Sequence, residues 1–184
     1  MTTLYIVLAI VAVIAIWLIL SYNRLISLRN RAREALSDID VQLKRRYDLI
    51  PNLVETVKGY MGHERGVLEN VTKARAAVAQ SSGNPIDRAK SENFLSDTLK
   101  TLFAVAENYP DLKASANFLD LQRELTDTEN KIQASRRFYN TTVMDLNTAV
   151  QTFPTNLMAK PFSFKEEPFF DIPEAEEKPV QVKF

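Results

Sequence analysis

Leu4 to Leu20 is an unbroken run of seventeen apolar residues, LYIVLAIVAVIAIWLIL. As a helix it extends roughly 25 Å, the short end of what a bilayer core needs. Trp17 and Tyr22 sit near its C-terminal boundary, where amphipathic rings favour the headgroup layer. Beyond the run, apolar residues recur at intervals of three and four: Leu25, Leu28, Ala32, Ala35/Leu36, Ile39, Leu43, Tyr47 and Ile50. That spacing makes one apolar stripe on a helix. Pro51 lacks a backbone donor and disfavours helix at Ile50, which predicts a kink or tight break there. The stripe resumes with Leu53, Val54, Val57, Tyr60, Met61, Val67, Leu68, Val71, Ala74 and Val78, then meets the turn signal Ser81-Ser82-Gly83-Asn84-Pro85. A third helix places Phe94, Leu95, Leu99, Leu102 and Phe103 inward and breaks at Tyr109-Pro110-Asp111. A fourth carries Phe118, Leu121, Leu125, Thr128, Ile132, Ser135, Tyr139, Val143, Leu146, Val150 and Phe153.

The expected architecture is all-α: an anchor over 1–21, then a long-helix antiparallel bundle or coiled coil over 22–154. Its helices are predicted at about 22–49, 51–80, 86–108 and 111–152. Prolines at 154, 161, 168, 173 and 179 predict an extended tail over 155–184. Within that tail the segment Phe162 to Phe170 is expected to dock its aromatic rings on the bundle, with disorder from Glu174 onward. Service as a peptide ligand for another protein is the other reading of the Phe-rich acidic segment. No stretch alternates with period two, so no sheet is assigned.

Charge gives the anchor a direction. Arg24, Arg29, Arg31 and Arg33 follow the run closely, and no Lys or Arg precedes it. Basic residues stay on the cytoplasmic side, so the expected topology is single-pass with the N-terminus out and the C-terminal region in the cytoplasm. The same arginines are placed to meet anionic headgroups or simply to solvate the helix. A cleaved signal peptide is the competitor. It wants a basic n-region and a small-residue cleavage site, whereas Met-Thr-Thr precedes the run and Ser-Tyr-Asn-Arg follows it. Over the whole chain 23 basic residues balance 23 acidic ones, which argues against a nucleic-acid binder.

Candidate chemistry is sparse. The absence of cysteine excludes disulfides, thiolate metal sites and cysteine nucleophiles. His63 is the single histidine, so paired-histidine zinc and di-iron motifs are missing, as are phosphate loops and nucleophile elbows. An all-carboxylate site drawn from Asp38, Asp40, Asp48, Glu55, Glu124 and Glu129 is better explained by surface ion pairs such as Asp40 with Lys44 and Asp127 with Lys131. No catalytic, cofactor or metal residue is therefore assigned. The interface candidates are structural. Asp40, Arg46, Asp48 and Asn52 cluster around Pro51, and Glu124, Glu129, Asn130 and Arg136 are placed to meet them across the bundle. Gly59, Gly62 and Gly66 share a predicted helical face with Asp48, Asn52, Glu55 and His63. Three helix-interior glycines are costly, which suggests a close helix contact, within the bundle or between protomers, as against a solvent face or bend.

The block Ile39-Asp40-Val41-Gln42-Leu43-Lys44-Arg45-Arg46-Tyr47-Asp48-Leu49-Ile50-Pro51-Asn52-Leu53-Val54 resembles the most recognisable segment of the bacterial LemA family. It continues into Glu55-Thr56-Val57-Lys58-Gly59-Tyr60 and Glu64. Glu107-Asn108-Tyr109-Pro110-Asp111-Leu112-Lys113, the stretch from Glu124-Leu125 through Tyr139-Asn140, Phe153-Pro154 and Phe169-Phe170 fit as well. Leu36 and Leu146 depart from the tryptophan and tyrosine that the family pattern leads one to expect, and both look like packing substitutions. The resemblance implies one N-terminal membrane helix, a cytoplasmic helical bundle in the bacterial plasma (inner) membrane, and no established enzymatic activity. It also implies associations, through a magnetosome membrane protein and through genes near membrane proteases. The resulting expectation is a non-enzymatic, self-associating scaffold whose partners are the lipid bilayer and further copies of itself, forming a homo-oligomer. The alternative is an adaptor or regulator of a membrane protease or envelope-stress pathway, with a membrane-protein partner.

Overall fold

In the computed structural model, residues 1–62, 64–81 and 85–170 are described. Six helices appear in the order α1 (Thr2–Lys58), α2 (Arg65–Gln80), α3 (Pro85–Ala106), α4 (Pro110–Lys113), α5 (Ala116–Gln151) and α6 (Asn156–Ala159), and no strand occurs among the described residues. The all-α expectation stands, with long helices packed on one another. The start of α1 is long and apolar enough to cross a membrane, and none of residues 2–20 is buried.

Pro51 does not break the chain. It lies inside α1, on the exposed side. A proline leaves the carbonyl four residues earlier without its helical donor. Here that carbonyl is Tyr47 O, and Arg75 Nε donates to it at 3.4 Å while the Arg75 guanidinium stacks 3.9 Å from the Tyr47 ring centroid. The break falls instead after Lys58. Tyr60 N and Met61 N both donate to Val57 O, closing a turn that contains Gly59. The predicted helix over 51–80 is thus divided between the end of α1 and α2. Likewise the predicted helix over 111–152 is interrupted: Ser115 N donates to Leu112 O, and the buried Leu112 pins α4 before α5 begins.

Two compact units result among the described residues, one of Met1–Leu36 with Phe138–Phe169, the other of Ser37–Arg137 with Phe170. In the second, Ile50, Leu53, Val57, Met61, Leu68, Val71, Ala74, Leu95, Leu99, Leu102, Leu112, Phe118 and Leu125 form one core, and α2 packs on α3. Phe94, expected inward, is instead half-exposed; Leu95 and Leu99 take the core and Phe103 is partly buried. In the first unit Leu25, Ala149, Met158, Ala159 and Phe164 are buried together, with Trp17, Tyr22, Ile26, Leu28 and Val150 against them.

The tail is not wholly extended. α6 forms a single turn, and the chain reverses at Ser163, whose φ of 55° is uncommon outside glycine. Docking of the Phe-rich segment is selective. Phe164 and Phe170 are buried, whereas Phe162 and Phe169 keep about half their surface in solvent. The stretch after Phe164 is held in the first unit by Asn147, whose Nδ2 donates to Glu167 O and whose Oδ1 accepts from Glu167 N, each at 2.9 Å. Tyr139 Oη donates to Pro168 O at 3.0 Å. Burial, helped by the Glu167 charge, raises the Tyr139 phenol above its ordinary range, which keeps it a donor. The expected disorder from Glu174 lies outside the described residues.

Candidate functional site

Arg46 occupies a core position. From Ile39 onward the buried residues of α1 run Ile39, Leu43, Arg46, Ile50, Leu53 and Val57, so the arginine stands where the apolar seam needs a side chain. Its long apolar stem suits that position, but its charge needs partners once water is gone. It has them. Nη1 donates to Glu129 Oε2 and to Ser96 Oγ, each at 2.6 Å. Nη2 donates to Glu92 Oε2 and to the Glu92 carbonyl. The Ser96 hydroxyl in turn lies 3.2 Å from Glu129 Oε1. Arg46 is 1% exposed, Glu92 2% and Glu129 26%.

Burial pushes the Glu129 carboxyl up. The Arg46 charge and hydrogen bonds from Arg46, Gln133 and Ser96 outweigh it, so its pKa stays below the ordinary value. One cation faces two carboxylates from α3 and α5. Such an arrangement specifies which helix faces meet and at what register, because a slip of one residue strands a charge.

Arg136 is the second buried guanidinium. Its Nη1 donates to Asn93 Oδ1 at 2.8 Å, and its Cζ stands 4.8 Å from the Phe170 ring centroid. The sequence pattern put Tyr47 and Ser135 in the seams where Arg46 and Arg136 in fact sit. Glu92, Asn93 and Ser96 were not anticipated at all. A signal existed for Glu92, which lies three and seven residues before Leu95 and Leu99 and so continues their buried face.

The other candidates lie apart from this network. Asp40 pairs with Arg88 at 2.7 Å, not with Lys44, which pairs with exposed Asp48 at 2.6 Å. Asp127 pairs with Lys131 at 2.8 Å. Asn52 and Glu124 line an open groove of about 370 Å³ with Leu49, Thr56, Asn117, Asp120 and Leu121. Asn130 is exposed and borders a groove of about 190 Å³ with Ser96, Phe103 and Glu129. The expected meeting of the two polar clusters therefore comes down to Arg46 with Glu129.

The glycine face is a correction. Gly59 and Gly62 lie in the corner after α1 and Gly66 in the first turn of α2, so they do not share one helix face. A Cβ at Gly62 or Gly66 would meet nothing within 4 Å, and at Gly59 only its own helix's Thr56 O at 3.8 Å. Among the described residues, no backbone of another helix comes within 4 Å of a Cβ at these positions. His63 lies outside the described residues. Among those residues, no group of three or more carboxylates or other common ligands is placed to hold a metal.

Near the apolar run, Arg29 stacks 5.0 Å from the Phe164 centroid. Arg24 and Arg31 border a groove of about 500 Å³ with Ser27, Asp145, Thr148, Thr152 and Thr155. Arg33 is exposed.

An apolar N-terminal helix continuous with a helical bundle, held by buried ion pairs, defines a membrane-anchored helical protein. The chain belongs to the LemA family, whose sequence profile matches residues 35–184. It is 27% identical to Protein LemA of Metamycoplasma hominis over 84% of this chain and 70% of that protein. It is 23% identical to magnetosome protein MamQ of Magnetospirillum gryphiswaldense over 89% of this chain and 69% of that one. Magnetosome protein MamQ 2 of Paramagnetospirillum magneticum is 24% identical over 95% and 73%.

Proposed function

We propose that this protein is a non-enzymatic scaffold that self-associates at the cytoplasmic face of the bacterial plasma membrane, with its N-terminus outside. The observation that carries this reading is where the buried charge goes. Arg46, fully buried in the core, spends both terminal nitrogens on Glu92, Glu129 and Ser96, groups that fix helix register. The second support is mechanical. The apolar run and the helix that enters the core are one helix, Thr2–Lys58, so no linker separates the anchor from the residues it presents. The basic flank of Arg24, Arg29, Arg31 and Arg33 supports the orientation.

The test is extraction of the full chain in mild detergent followed by light scattering, with crosslinking in intact membranes beforehand. A discrete assembly larger than the protomer is expected. A monomer at every concentration would sink self-association, and a monomer that brings a membrane protease with it would favour the adaptor. Because the chain has no cysteine, single introduced cysteines at Thr3 and Lys131 report topology through an impermeant maleimide. Labelling of Lys131→Cys in intact cells would overturn the orientation.

A further inference from the structure

The C-terminal stretch of the first unit reaches back along α1 to the apolar run itself. Met158, Ala159 and Phe164 are buried against Leu25, with Trp17 and Tyr22 packed on the same cluster. The Phe162 ring lies 4.9 Å from the Tyr22 ring, and the Phe164 ring 5.9 Å. Trp17 lies three residues inside the end of the run, roughly 5 Å below it along the helix. The run shows the footprint of this contact. Trp17 is partly covered and Leu18 is only 37% exposed, whereas every other large apolar residue from Leu4 to Leu20 is more than half exposed.

If Leu4–Leu20 crosses the bilayer, whatever covers Trp17 stands in the headgroup layer. The segment that gives Met158, Ala159 and Phe164 to this cluster also presents apolar groups outward. Phe153 is 78% exposed, Leu157 59% and Phe162 51%. Three large apolar side chains within ten residues, each at least half exposed, make an exposed patch next to a membrane span. Lys160 is exposed on the same turn, and Arg24 stands one turn past the end of the run. Aromatic rings with flanking cations are the composition that the interface between headgroups and acyl chains prefers.

We propose that residues 153–163 form a second membrane contact, in which Phe153, Leu157 and Phe162 enter the interfacial layer of the bilayer beside the span and Lys160 and Arg24 meet phospholipid phosphates. The proposal rests on the reading of Leu4–Leu20 as a membrane span. With this contact the helix is gripped at two points on its circumference, which fixes how far it sinks and how it is rotated in the bilayer.

The test uses the chain's single tryptophan. The full-length protein is reconstituted into vesicles of phosphatidylethanolamine and phosphatidylglycerol containing lipids brominated near the carbonyl end of the acyl chain. Native Trp17 emission reports the span. In a Trp17→Phe background, Phe153→Trp, Leu157→Trp and Phe162→Trp each report the second contact, and Glu166→Trp serves as an exposed control. Quenching of Trp17 and of the three new tryptophans by bromolipid, with their protection from aqueous iodide and none for the control, is the expected result. Quenching of Trp17 alone, with the three open to iodide, overturns the interfacial contact and leaves the span standing. An unquenched Trp17 overturns the span and the proposal with it. Far-ultraviolet circular dichroism of each variant checks that the helices are retained.

Discussion

Replacing Arg46 by methionine keeps most of the stem's volume and removes the charge. Glu92, 2% exposed, and Glu129, 26% exposed, then share a buried site with no cation. Breaking a buried pair by removing one partner costs about 3–5 kcal/mol. Proton chemistry supplies an independent ceiling. A carboxyl with an ordinary pKa of 4.5 takes up a proton at pH 7 for about 3.4 kcal/mol, since each unit is worth about 1.36 kcal/mol. Glu129 can turn its partly exposed carboxylate to water, so a single proton taken up by the pair suffices. The two estimates agree on about 3–4 kcal/mol, which lowers the melting temperature by roughly 6–16 °C for a chain of this size.

The pH dependence carries the sharper test. In the native protein the Glu129 pKa is held below its unfolded value, so the stability it contributes is present above about pH 4.5 and is lost as pH falls through the folded pKa. In Arg46→Met the folded protein binds the extra proton, so stability rises as pH falls from 7 towards 5, by up to about 1.4 kcal/mol per unit. Circular dichroism melts of the detergent-solubilised full chain between pH 4 and 8 measure both slopes. Adding Glu92→Leu and Glu129→Met to the variant abolishes the slope and restores most of the lost stability. An Arg46→Met protein with native melting temperature and native slope would refute the role of this network.

Three further outcomes follow from single contacts. Gly66→Ala adds a Cβ into open space in the first turn of α2 and is expected to stabilise by about 0.4–1 kcal/mol, read as a small rise in melting temperature; a fall would reinstate a close contact at that glycine. Asn147→Leu breaks the paired bonds to Glu167 and should expose the stretch after Phe164 to limited proteolysis well before α5 is cut. Phe170→Ala empties a fully buried site beside Arg136 and is expected to cost about 3–5 kcal/mol in denaturant melts, whereas Phe169→Ala, half-exposed, should cost far less.

Hydrophobic order along the chain was enough for the class of this protein: an uninterrupted apolar run followed by stripes at helical spacing points to an anchor and packed helices, because backbone groups in lipid and apolar faces in water each admit few solutions. The meeting of Arg46 with Glu129 was legible too, as charged residues at matched places on two helices. What stayed hidden depended on partners distant in sequence. Pro51 reads as a break because its ring frees a carbonyl, and only the fold brings Arg75 to that carbonyl. Arg46 and Arg136 read as interface residues, but a buried charge needs its full set of partners, and only the fold supplies Glu92, Ser96 and Asn93. The glycines read as a contact face until the helix ended before them. The return of residues 156–164 to Trp17 has no periodic signature at all, since a segment that packs by a few side chains around a reversal is specified by the surface it lands on.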